Sequence, residues 1–106
     1  ECETAYNTEK GVECYEATKD SGSLLYQPLS TGITYQLIPK AEADGIPILS
    51  SGYGRTSAKN GKVFRHTFNF PVNYWDGASI GINHFKEQAG GSLEGKKVTL
   101  LHLIDD

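Results

Sequence analysis

At 106 residues the chain has the size of one small domain, with enough length to bury a modest core. Charged residues at 22% and hydrophobic residues at 38% exclude a disordered composition, and a net charge of -3 argues against a nucleic-acid surface built on bulk positive charge. No apolar run approaches the ~20 residues needed to span a bilayer.

The opening residues Glu1-Cys2-Glu3-Thr4 carry no signal-peptide pattern and the chain contains no Met, so a mature or truncated chain is expected. Residues 1–6 read as the frayed end of a strand. Asn7 or Thr8 can cap a helix running to about Lys19, with Glu9 in the first turn where the helix dipole favours an acid. Val12, Tyr15 and Ala17 give that helix a thin apolar face, and Gly11 weakens it by about 1 kcal/mol relative to Ala. Cys2 and Cys14 are too few for a disulfide scaffold or a four-ligand zinc site. They leave open one disulfide or two partly buried thiols.

Residues 23–27 form the first complete predicted strand, ended by Pro28. Ser30 or Thr31 then opens a helix to about Asp44, with Ile33, Leu37 and Ala41 on one stripe and Gly45 as the stop. Pro39 falls inside it and is expected to kink or break it near residues 35–38. Residues 46–50 form the second predicted strand. The polar, glycine-rich residues 51–61 read as a long exposed loop, of the kind that is more often functional than filler. Residues 63–68 alternate as a strand, and Phe70-Pro71-Val72 breaks the pattern.

The helix predicted over residues 73–89 has the cleanest period in the chain, with Trp75, Ala78, Ile82, Phe85 and Ala89 on one stripe. Core packing is expected for Trp75. Gly90 and Gly91 stop the helix, and residues 97–104 are apolar nearly throughout, as a parallel strand covered on both faces would be. Strands alternating with helices at this spacing predict an α/β protein: a three-layer parallel sheet with helices on both faces and right-handed crossovers.

Several runs together resemble a known family. They are residues 1–8, Gly11-Val12-Glu13-Cys14-Tyr15-Glu16, Gln27-Pro28-Leu29-Ser30-Thr31-Gly32, Ile46-Pro47 to Gly52-Tyr53-Gly54-Arg55, Asn73-Tyr74-Trp75, and Gly95-Lys96-Lys97 to Asp105-Asp106. The chain is similar in these runs to bacterial extracellular solute-binding proteins of ABC transporters, of the branched-chain amino-acid (Leu/Ile/Val) type I periplasmic binding class. The resemblance implies a fragment of a two-lobe, Rossmann-like fold. Residues 1–70 would belong to the first lobe, and residues 71–106 to a crossing segment and the start of the second. It also implies amino-acid transport without catalysis, a periplasmic or extracellular bacterial location, and ABC permease membrane subunits as partners. An extracellular location favours a Cys2–Cys14 disulfide.

Ligand capture outside the carboxyl ends of parallel strands follows from topology. Ser30 and Thr31 lie at one such end and Ser51, Gly52 and Tyr53 at the next. Their hydroxyls and N–H groups suit the carboxylate of an amino acid or a similar small acid. Against this, Ser30 or Thr31 can serve only as a helix cap and the glycines only as turns. Tyr74 is the better cleft candidate beside Trp75, and Asp105 ends an apolar strand where a carboxylate would face an ammonium group or the hinge, or serve only as a solvated chain end. His66, His84 and His102 have no metal-ligand spacing, and no cofactor is implied. A ligand-sensing domain of a receptor or regulator shares the expected fold. A small α/β enzyme is disfavoured because no nucleophile with a paired base is visible.

Overall fold

The structure, a computed structural model, describes residues 1–51 and 56–101. It is a small mixed α/β protein. In chain order it contains α1 (Thr8–Thr18), α2 (Thr31–Asp44), β1 (Ile48–Ser51), a short 3-10 helix (Thr56–Lys59), β2 (Thr67–Phe70) and α3 (Tyr74–Gln88). β1 and β2 pair in parallel, with Ile48 opposite Thr67 and Ser51 opposite Phe70.

Each helix begins where a side chain can take up a loose backbone N–H. Asn7 accepts from the Lys10 N–H, Ser30 from the Ile33 N–H and Asn73 from the Asp76 N–H. Gly45 ends α2 in the left-handed conformation, at φ 70°, a geometry that disfavours a side chain. Pro39 does not break α2, which runs across it as one helix. The proline lies on the exposed side, where water can take over the carbonyl it leaves unserved.

The core forms where α1 crosses α2 over β1. Tyr15, Ile33, Leu37, Ala41 and Ile48 are buried together, with Val12, Tyr26 and Ile46 packed against them. Burial of each large side chain contributes about 1.5–3 kcal/mol. The Tyr15 and Tyr26 rings meet at 4.7 Å between centroids, tilted by 53°. At the rim, the Tyr15 hydroxyl donates to Asp44 at 2.8 Å, and Lys19 bridges Glu16 and Asp44 at 2.9 and 3.2 Å. The Cys2–Cys14 disulfide fastens the first residues to α1.

Several expectations are corrected. Residues 1–6 are not strand: they form a turn, with Ala5 and Tyr6 at positive φ, before the Asn7 cap. The strand expected at 23–27 is reduced to one parallel bridge, Tyr26 to Ile48, because Pro28 cuts the ladder short on that side. The third strand lies at Thr67–Phe70 rather than 63–68, since residues 61–66 are taken up in turns. Residues 97–101 form no strand, and Val98, Leu100 and Leu101 are exposed. The stripe of α3 faces outward as well. The helix has no buried residue, and Trp75, expected in the core, is 65% exposed. Periodicity reports which side of a helix is apolar, and an apolar side is buried only where a second surface meets it. Among the described residues the coarser expectation holds, a mixed α/β arrangement of three helices with a two-stranded parallel sheet.

Candidate functional site at the carboxyl end of the strands

The parallel pairing decides where the chain exits gather. The Tyr26 N–H donates to Pro47 and the Leu49 N–H to Tyr26, at 2.9 and 2.8 Å, so residues 26 and 48 run the same way. β2 runs the same way again. The segment 27–31, Ser51 and the start of α3 therefore leave the sheet at one common end. Ser30, Thr31, Ser51 and Tyr74 all belong to that end, and Gly52 and Tyr53 lie outside the described residues.

Within this rim the side chains have unequal freedom. Ser30 is 8% exposed, and its hydroxyl accepts from the Ile33 N–H at 3.3 Å. Its carbonyl accepts from the N–H and the hydroxyl of Thr34 at 2.9 and 2.7 Å. Ser30 is thus turned into the first turn of α2 and acts as its cap. Thr31 is half-buried at the first position of α2. Ser51 is half-buried and accepts from the exposed Gln27 amide at 3.1 Å, which ties two neighbouring strand exits together. Gln27 was missed in the sequence, although its place just before Pro28, at a strand end, was the available signal. Tyr74 is exposed at the start of α3.

The rim offers hydroxyls, one amide and an aromatic ring. Among the described residues Asp76, in the first turn of α3, brings a carboxylate to this end, and further charges lie elsewhere. Glu42, near the end of α2, accepts the His66 backbone N–H at 2.8 Å through one oxygen, and its other oxygen meets His66 Nδ1 at 3.1 Å. The backbone hydrogen bond, followed by the ring contact, holds the Glu42 carboxyl below its usual range. His66 immediately precedes β2, at the opposite end of the sheet from Ser30 and Ser51, so it cannot serve either hydroxyl as a base. Among the described residues no cluster of three or more His, Cys, Asp or Glu side chains is arranged to hold a metal ion.

No family model and no curated protein matches the chain. It is similar to a crystal structure solved as an ABC transporter permease from the Pseudomonas fluorescens group. The identity is 42% and the TM-score 0.73, over 85% of this chain and 23% of that one. The similarity supports a link to ABC transporters and overturns the finer expectation. A permease is the membrane component of such a transporter, not a periplasmic solute-binding protein. The reading of the chain as a branched-chain amino-acid binder that closes two lobes on a small carboxylate is corrected accordingly.

Proposed function

We propose that this chain is an extramembrane portion of the permease component of an ABC transporter. The similarity to the permease structure carries the reading. No helix among the described residues is long and apolar enough to cross a membrane, so the role offered is one in the water-facing part of the assembly. The strand-end rim of Gln27, Ser51 and Tyr74 then serves as a contact surface for other transporter subunits, without catalysis of its own.

A disulfide between Cys2 and Cys14 supports placement outside the cytoplasm, where oxidised pairs persist. The exposed Leu24, Leu25 and Leu29 beside the Tyr26 segment support extension of the small sheet into a larger three-layer array in the whole protein. Affinity purification of the tagged protein from detergent-solubilised membranes of its host tests the reading. Recovery together with an ATP-hydrolysing transporter subunit is expected. Recovery as a single species with no transporter subunit would count against it.

A further inference from the structure

From the way residues 1–6 are held, we propose that the Cys2–Cys14 disulfide is a redox latch. Intact, it keeps this segment as one wall of a groove; reduced, it lets the segment swing away and bares the groove floor. The groove, of about 630 Å³, runs between the first residues, α1, residues 23–29 and α2. Tyr15, Ile33 and Leu37 of the core line it, and each is at most 4% exposed, so they form its floor. Leu25 and Leu29 line it as well and are largely exposed. The latch therefore separates solvent from apolar surface that continues into the core.

The polar contacts of the segment are all local. The Ala5 N–H donates to Glu3 at 2.6 Å and the Asn7 N–H to the Thr4 carbonyl at 3.0 Å. Among the described residues, residues 1–6 make no hydrogen bond or ion pair beyond Asn7, so the disulfide is the one bond that reaches from them into α1. The backbone pulls the other way. Ala5 and Tyr6 sit at φ 50° and 61°, a left-handed conformation that residues with a Cβ enter at a cost. Tyr6 is exposed, so its ring does not anchor the turn. Once the disulfide is cut, both residues are free to return to negative φ, which carries residues 1–4 off α1. The reductant is a dithiol. Its thiolate bonds to the sulfur of the exposed Cys2 and displaces Cys14, which takes up a proton. The second thiol of the reagent then displaces Cys2, leaving two cysteine thiols and the reagent as a disulfide. The latch does not rest on the permease reading.

Nile red, a neutral apolar dye, and a glutamate-specific protease test the latch on the 106-residue chain. Dithiothreitol is expected to raise dye fluorescence several-fold, and reoxidation to reverse the rise. Cys2→Ser with Cys14→Ser should be bright with or without dithiothreitol. Cleavage after Glu3 should speed up by about tenfold on reduction, and should stay well ahead of cleavage after Glu13 and Glu16 within α1, because a local opening frees only the first residues. Dye fluorescence and Glu3 cleavage that ignore dithiothreitol would overturn the latch. So would equal cleavage rates at the three sites after reduction, since the chain would then be opening as a whole.

Discussion

Gly11 of α1 lies directly against Ile33 of α2. A Cβ built at Gly11 would sit 2.6 Å from Ile33 Cγ2 and 2.8 Å from Cγ1, closer than carbon atoms approach. Ile33 is 4% exposed and part of the core, so it has little room to yield. The glycine that weakens α1 as an isolated helix is what lets the two helices close. Gly11→Ala gains up to about 1 kcal/mol of helix propensity. It also forces an overpacked contact that costs about 1–3 kcal/mol. Net destabilisation of about 1 kcal/mol is expected in urea unfolding, and trimming Ile33 to Ala in the Gly11→Ala background should recover less than it would cost alone.

The carboxylates that tie the elements together set the response to acid. Glu42 is held down by the His66 N–H and ring, Asp44 by the Tyr15 hydroxyl and then Lys19, and Glu16 by Lys40 and then Lys19. Each has a folded pKa below its unfolded value. Its contribution is therefore present above about pH 4, where the unfolded chain ionises, and is lost as the pH falls through the lowered folded value. Denaturant midpoints measured between pH 7 and 3 should fall towards acid. Glu42→Gln should flatten that fall, and an unchanged slope would show that the His66 contact contributes nothing.

The disulfide closes a loop between Cys2 and Cys14, a sequence separation of 12 residues. Chain-entropy reasoning gives such a loop about 2–3 kcal/mol. Thermal melts with and without reductant should differ by several degrees, and Cys2→Ser with Cys14→Ser should melt with the reduced protein. Because the crosslink holds the first residues to α1, the α2–β1 packing should persist after reduction, visible as unchanged near-ultraviolet dichroism from Tyr15 and Tyr26.

Local signals in the sequence carried well into the structure. Asn7, Ser30 and Asn73 announce their helices, Gly45 ends one, and Ile33, Leu37 and Ala41 mark a face that is buried. What depends on a partner surface did not carry. The stripe of α3 and the apolar run from Val98 are real patterns, but they remain exposed, so Trp75 was misplaced. The close approach at Gly11 is a property of two helices together, and no feature of α1 alone reveals it. At the rim, Ser30 was read both as a helix cap and as a ligand contact, and its hydroxyl accepts from the Ile33 N–H; Gln27 became visible only once parallel pairing set it beside Ser51.

Alkaline carbonate extraction of host membranes, with the protein tagged at its own locus, bears most directly on assignment to a permease component. Retention in the membrane pellet is expected. Complete release into the osmotic-shock or carbonate supernatant, without membrane association, would contradict it.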